Sequence, residues 1–421
     1  MLKIGIVGVG TVGQSVCQIL EANKDIITAR AGVELVPTIG VVSDINKKRD
    51  VSIKLTTNAD EVLDDPTIDI VVELMGGVDK AYEVVKKALK NGKSVVTANK
   101  ALLAYHRYEL QELAGDNAFE FEASVAGGIP IISALRDGLS ANHIISIWGI
   151  LNGTCNYMLT KMIKEGVAYE EVLKEAQELG YAEADPTFDV GGFDAAHKLL
   201  ILASIAYGID VKPEDILIEG IQNITTEDIY FAKEFGFSIK LLTIAQINKN
   251  NEVELRVHPA LISTADMIAK VDGVMNGISV LGDKVGETLY IGPGAGGDAT
   301  ASAVIANLID IARKGKGSPM LGFKTPLEGG LKLAQKGDIE TRYYLRLEVA
   351  DKSGVLAKVA TILGNQDISI KNMVQKPLDE NRANLLLSTH LCNEKDIKEA
   401  LLILQKENLV LSEPAMIRIE E

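Results

Sequence analysis

Asp194 and Lys198 stand four residues apart in GGFDAAHKLLILASIAY (191–207). On a helix that spacing puts a carboxylate and an ammonium on one face. Exposed, such a pair is a surface ion pair worth well under ~1 kcal/mol. Lys198, however, opens LLILASIAY, the most apolar stretch of the chain. A lysine partly buried there can donate a proton in general acid catalysis. LGYAEADP (179–186) and the residues after it bring Glu183 and Asp189 close by in sequence. Upstream, TANK (97–100) closes an apolar run and places Thr97 and Lys100 at a strand end. Open α/β sheets bind ligands outside the carboxyl ends of their strands. A lysine elsewhere would be an ordinary surface charge. Asn152, Gly153 and Thr154 in LNGTCN offer amide and hydroxyl groups suited to a carboxylate. Cys155 has two readings: a nucleophile that adds to an aldehyde and becomes a thioester when the adduct loses a hydride, or a small buried side chain.

The second constellation is Gly8-Val9-Gly10-Thr11-Val12-Gly13. A G-x-G-x-x-G carries little alone, but this one follows the β-branched run LKIGIVGV (2–9) and opens a helix over Val12 to Ala22. Gly8 permits the tight turn, Gly10 lets a pyrophosphate approach the backbone, and Gly13 lets helix and strand pack. Amides at the helix start then face the anion. Where the second strand ends, Asp44 would favour NAD, whereas Lys47, Lys48 and Arg49 would favour the 2′-phosphate of NADP. The balance leans to NADP. The same three cations also read as a solvated loop.

The elements that must hold these residues follow from periodicity. Strands at 33–43, 69–74 and 93–99 alternate with a helix at 78–91, and FEFEASVAGG (119–128) is expected to add a strand. This is a doubly wound, Rossmann-type parallel sheet covered on both faces. Residues 1–134 form the dinucleotide-binding domain, with the glycine-rich loop and helix of 291–313 returning to it. Residues 135–312 read as an α+β domain for substrate binding and dimerisation: strands at 144–150, 241–247 and 253–261, helices at 157–164, 168–180 and 194–207. A basic Gly/Pro-rich linker spans 313–341. Residues 342–421 give β-α-β-β-α with a closing strand, the ferredoxin-like order.

Composition narrows the classes. The 421 residues are 47% apolar and 24% charged, an ordinary globular mixture. With 43 basic against 58 acidic residues the net charge is −15, which argues against nucleic-acid binding. No apolar run is long enough for a membrane helix, and the glycine-punctuated N-terminus lacks a signal-peptide cleavage site. Three scattered cysteines suit a reducing cytoplasm.

Taken in order, GVGTVG, TANK, FEASVAGGIP (121–130), LNGT (151–154), LGYAEADP, GGFDAAHK (191–198) and GPGAGG (292–297) resemble the homoserine dehydrogenase family over essentially the whole chain. Residues 342–421 resemble an ACT domain, an amino-acid-sensing module, with Asp351-Lys352-Ser353-Gly354 at its usual ligand turn. The resemblance implies interconversion of L-aspartate 4-semialdehyde and L-homoserine with NADP or NAD, on the route to threonine, methionine and isoleucine. It implies that Lys198 gives a proton to the carbonyl oxygen, with Lys100 at the nicotinamide ribose or substrate and sharing that work. Glu183 would hold the substrate ammonium, Asp189 and Asp194 would position substrate or lysine, and Gly296 would close over the cofactor. Gly8, Gly10, Thr11, Val12, Gly13, Arg49, Thr97 and Lys100 complete the cofactor set. A monovalent cation, usually sodium, would sit on Glu122, Val125, Gly127 and Ile129, largely through backbone carbonyls. Ser43 departs from the family, many members of which carry Arg there. Further expectations are feedback by threonine at the ACT domain, a homodimer or homotetramer, and a cytoplasmic location. Two other readings stand beside this one: a phosphorylating semialdehyde dehydrogenase using Cys155, and a non-catalytic amino-acid sensor with a vestigial nucleotide fold.

Overall fold

The computed structural model describes residues 1–315 and 318–421; residues 316 and 317, inside the expected linker, lie outside the described residues. The chain forms two compact units. The first comprises Met1–Gly153, Asp194–Asp215 and Val274–Lys332; the second comprises Thr154–Phe193, Ile216–Gly273 and Leu333–Glu421.

In the first unit six parallel strands, β1 (Leu2–Val7), β2 (Leu35–Val41), β3 (Lys54–Thr56), β4 (Ile70–Glu73), β5 (Ser94–Thr97) and β6 (Phe119–Glu120), lie in the spatial order 3-2-1-4-5-6. That is the doubly wound order, with its switch point between β1 and β4. The central strands are apolar on both faces because helices cover both. Ile4, Ile6, Ile70, Val72 and Val96 share one core with Val16 and Leu20 of helix Thr11–Ala22 and with Val304 and Leu308 of helix Gly297–Lys314. The last helix therefore returns to the nucleotide fold, packing on the first one. Strand β3 has no counterpart in the sequence reading. It is three residues long at the sheet edge, too short for a periodic signal.

The strand expected over 119–128 stops at Glu120. Glu122 turns inward instead, its carboxylate accepting the Ile132 and Ser133 amides at 2.8 and 2.9 Å, and the chain enters a tight turn. Ala126 and Gly127 then take positive φ, which no strand permits. The antiparallel strands Ile144–Ile150, Met275–Gly282 and Gly286–Pro293 complete this unit's strands.

Helix Phe193–Tyr207 is apolar almost all round and correspondingly buried. Met320 and Leu321, within the expected linker, are also buried, and the Leu321 amide donates to Gln111. Two apolar side chains in a basic, glycine-rich run suffice to dock it.

In the second unit the long hairpin Phe237–Ile247/Val253–Ser263 is fully antiparallel in register. The C-terminal strands Glu340–Ala350, Ile370–Pro377, Arg382–Thr389 and Ala415–Glu420, with helices Val355–Asn365 and Glu394–Lys406, form the ferredoxin-like β-α-β-β-α-β. The closing strand does more than close this sheet. Its other edge pairs in parallel with the hairpin, Ala260 opposite Arg418 and Ile262 opposite Glu420. The seam is lined by buried ions: Arg418 bonds Glu394 and Glu219, and Arg256 bonds Glu254 and Glu420. Residues 135–312 are thus divided between the two units.

Candidate active site

The three glycines of the turn differ in their surroundings. Gly8 has φ +109°, and a Cβ there would stand 2.6 Å from the Leu74 carbonyl oxygen. A Cβ on Gly13 would stand 2.5 Å from the Gly8 oxygen, so helix and strand touch. Around Gly10 nothing lies within 4 Å of the added atom. The first two glycines are demanded by the fold, and the third faces open space where a ligand can approach. Thr11 and Val12 start the helix beside it. A second helix start joins this one: a Cβ on Gly297 would meet Ser15 Oγ at 2.8 Å. Gly296, with φ +127°, is its N-cap. Two helix N-termini with free amides at one turn favour an anion. Arg49 ties the loop after β2 to this turn. Its Nε donates to the Val9 carbonyl, and its Nη1 to the Asp44 and Lys47 carbonyls, each at 2.8 Å.

At the ends of β4 and β5 Glu73 and Thr97 interlock. Glu73 is fully buried; Thr97 Oγ1 donates to it at 2.6 Å and the Met75 amide at 2.7 Å. Burial pushes its carboxyl up, and these donors only partly offset that. Thr97 Oγ1 in turn accepts the Asn99 amide, and the Asn99 side chain caps the helix that Lys100 begins. Thr97 therefore reaches a ligand only through backbone or methyl, because its hydroxyl is engaged.

Lys100, Asp194 and Lys198 meet. Lys100 Nζ lies 2.8 Å from Asp194 Oδ1, and Lys198 Nζ lies 2.8 Å from Oδ2. Lys198 also donates to the Leu151 carbonyl at 2.6 Å, and Asn152 Nδ2 donates to Asp194 Oδ2 at 2.9 Å. Asp194 is 3% exposed and Lys198 8%, whereas about a third of the Lys100 side chain (36%) reaches solvent. Burial alone would push the Asp194 carboxyl up, but the Lys198 and Lys100 ammoniums outweigh it and hold it well below the usual carboxylate range. Two cations on one carboxylate leave a net positive charge, suited to an oxygen that becomes negative.

Glu122, with its two backbone donors, is buried; burial pushes its carboxyl up. Val125 and Ile129 are buried beside it. Gly127 is pressed on the 292–297 loop, since a Cβ there would lie 2.7 Å from the Gly294 oxygen.

The second unit carries Thr154, Glu183 and Asp189. Thr154 Oγ1 donates to the Tyr181 carbonyl at 2.6 Å, and Glu183 is exposed. Cys155 is fully buried with its thiol directed to the Asp189 carbonyl at 3.3 Å, a packed position unsuited to attack on a soluble aldehyde.

Residues 130–309 match the homoserine dehydrogenase family, residues 8–122 the NAD-binding domain of homoserine dehydrogenase, and residues 343–408 the ACT domain. A homoserine dehydrogenase of Helicobacter pylori is 55% identical over 420 residues, covering 100% of this chain and 99% of that protein. The chain belongs to the homoserine dehydrogenase family. A crystal structure of a homoserine dehydrogenase from Thiobacillus denitrificans, 45% identical, covers 100% of this chain and 98% of its own with a TM-score of 0.93. A homoserine dehydrogenase from a hyperthermophilic archaeon in complex with NADPH, 29% identical, covers 73% of this chain and 97% of its own with a TM-score of 0.61.

As a member of the homoserine dehydrogenase family, the protein is an NAD(P)-dependent oxidoreductase of amino-acid biosynthesis with a C-terminal ACT domain. Among the described residues no helix is long and apolar enough to cross a membrane. Sequence reasoning passed over Glu73 and Asn99, which fix the strand ends and the start of the Lys100 helix. A signal for Glu73 was present: an acid interrupts the apolar run IVVEL (70–74).

Proposed function

We propose that this chain interconverts L-homoserine and L-aspartate 4-semialdehyde using NADP or NAD, in the supply of threonine, methionine and isoleucine. The observation that carries the reading is the buried Lys198–Asp194–Lys100 arrangement on the fold that holds the glycine turn. When bound, the nicotinamide supplies or takes up the hydride. Lys198 meets the substrate carbonyl oxygen, stabilises the charge that develops there and gives it a proton; in the oxidative direction it takes that proton back. Asp194 keeps both lysines aimed, and Lys100, partly open to solvent, contacts the nicotinamide ribose or substrate and shares the proton work. Glu183 receives the α-ammonium, Asp189 helps place the substrate, and Asn152, Gly153 and Thr154 complement its carboxylate.

Gly8, Gly10, Thr11, Val12, Gly13, Thr97, Lys100 and Gly296 would hold the cofactor. Arg49 spends Nε and Nη1 on the loop, so a 2′-phosphate would meet its Nη2 edge. Glu122, Val125, Gly127 and Ile129 would hold a monovalent cation such as sodium. The support is a buried carboxylate that accepts the Ile132 and Ser133 amides, close in sequence to a turn of two positive-φ residues. The Asp351–Gly354 turn, ending at φ +88° on Gly354, would bind threonine as feedback inhibitor. A homodimer or homotetramer is supported by the half-exposed face of Trp148, Leu281, Leu289 and Ile291 on the antiparallel strands Ile144–Ile150, Met275–Gly282 and Gly286–Pro293. By function the chain divides into a dinucleotide-binding part (1–134 and the 291–313 return), a substrate and dimerisation part (135–312), a linker (313–341) and the ACT part (342–421), in a cytoplasmic enzyme.

The test is the appearance of reduced-nicotinamide absorbance from homoserine with NADP+ and with NAD+, repeated on Lys198→Ala. Loss of turnover with retained homoserine binding supports the reading; full activity of the variant refutes the role of Lys198. Calorimetric titration with threonine tests regulation, and neither heat nor inhibition would remove it.

A further inference from the structure

Asn276 lies on strand Met275–Gly282, outside the residues placed in the chemistry above, and is 1% exposed. Its Nδ2 donates to the Leu151 carbonyl at 3.1 Å. The same oxygen accepts from Lys198 Nζ at 2.6 Å. A carbonyl oxygen has two lone pairs, and here one goes to the lysine and one to the amide. The direction of the amide is settled by chemistry. The Leu151 oxygen only accepts, so Nδ2 must face it.

The consequence is an unmet group. Asn276 Oδ1 turns into the interior, where no hydrogen-bond donor of the described residues reaches it. The amide lies against the backbone of Gly294, in the space a side chain there would take: a Cβ on Gly294 would stand 2.1 Å from the amide carbon. An apolar side chain of equal volume would fill this space without leaving an acceptor unmet. Packing therefore does not account for an amide here, whereas the bond to Leu151 does.

We infer that Asn276 is a positioning residue for the proton donor, pinning the Leu151 carbonyl so that Lys198 is held between that oxygen and Asp194. The inference rests on Lys198 being the donor. Asp194 alone fixes the distance of the ammonium from one side. The carbonyl supplies the second direction, and an ammonium with two fixed acceptors keeps its third proton on a fixed line. Without the amide the carbonyl can tilt with the 151–153 turn, and that line is lost.

Asn276→Leu and Asn276→Asp, with Lys198→Ala as control, test this in semialdehyde reduction run in light and heavy water. Asn276→Leu should lower kcat about 10- to 100-fold, as expected for a misplaced reacting group. KM should stay within about threefold, because ground-state binding is untouched. The solvent isotope effect on kcat should rise, since proton transfer becomes limiting. A structural role alone would not move it. Asn276→Asp keeps the size and should lose activity near pH 8, where a carboxylate faces the carbonyl. It should recover relative to the parent as the pH falls and a protonated carboxyl donates again. Parental kcat in both variants, or a loss with an unchanged isotope effect, overturns the inference. If the leucine variant does not fold, a flat pH ratio for the aspartate variant overturns it. An inactive Lys198→Ala beside unaffected Asn276 variants defeats the positioning role alone. An active Lys198→Ala defeats the donor reading beneath it.

Discussion

Replacing Asp194 with Asn keeps the shape of the side chain and removes its charge. In the parent the carboxylate meets Lys198 and Lys100, each at 2.8 Å, and accepts from Asn152 at 2.9 Å. The asparagine can accept at one atom only, so at least one lysine faces an NH2 group instead. Lys198 is nearly buried and cannot turn to water; Lys100 can. Breaking one partner of a buried ion pair costs about 3–5 kcal/mol. The exposure of Lys100 places the expected stability loss near ~3 kcal/mol, at the low end of that range. The effect on rate is a separate quantity. A misaimed proton donor forfeits much of what general acid catalysis supplies, about 10²- to 10³-fold in kcat. At 1.36 kcal/mol per decade that is roughly 3–4 kcal/mol of barrier. Binding of the dinucleotide should hardly change, because the glycine turn is built by other residues. The assay is stopped-flow reduction of the semialdehyde, with urea unfolding and cofactor titration on the same preparation. A variant whose kcat stays within about threefold of the parent would refute the view that Asp194 aims the lysines. The pH dependence has a definite sign. The Asp194 carboxyl is held below its unfolded value, so its contribution to stability is complete above about pH 4 and is lost only in stronger acid.

The three glycines of the first turn should separate fold from binding. Gly10→Ala, placed in open space, should leave urea stability within about 0.5 kcal/mol of the parent while weakening dinucleotide binding in a fluorescence titration. Gly13→Ala, driven against the Gly8 oxygen, should lose about 1–3 kcal/mol of stability, seen as a lower urea midpoint. His258 is fully buried: burial first, then the Arg418 and Arg256 charges, hold it neutral well below its usual range. Glu420 Oε1 also faces it at 3.6 Å. The unfolded chain binds the proton that the folded chain refuses, so stability should fall as pH drops below about 6.5, by up to about 1.4 kcal/mol per unit. His258→Phe should flatten that slope in urea unfolding at a series of pH values, and an unchanged slope would assign it to other groups. Cys155→Ala should keep most of the turnover and need no phosphate; a dead, folded variant would revive the thioester chemistry.

What could be read along the chain was what depends on neighbours in sequence. The glycine turn is six consecutive residues between a strand and a helix, and its sterics are nearly complete within that span. The alternation of apolar runs predicts the parallel sheet, because strands covered on both faces have no polar side to show. The Asp194–Lys198 pair is legible for the same reason, as the helix itself sets its spacing. The apolar stretch after Lys198 also announces its burial.

Folding in three dimensions decided the rest. Asp194 takes Lys100 as its second cation across ninety-four residues, which no periodicity could reveal. The 119–128 run is strand-like in composition, yet Glu122 finds the Ile132 and Ser133 amides and the chain turns. The closing strand 415–420 has two edges, and only the folded chain shows that the second one pairs with 260–262. Glu73 and Asn276 are unremarked in sequence because their partners, Thr97 and Leu151, lie far along the chain. Local sterics and hydrophobic periodicity are encoded within a few residues. Buried polar groups are matched by whichever donor or acceptor the fold delivers, and that partner is chosen only when the chain has closed on itself.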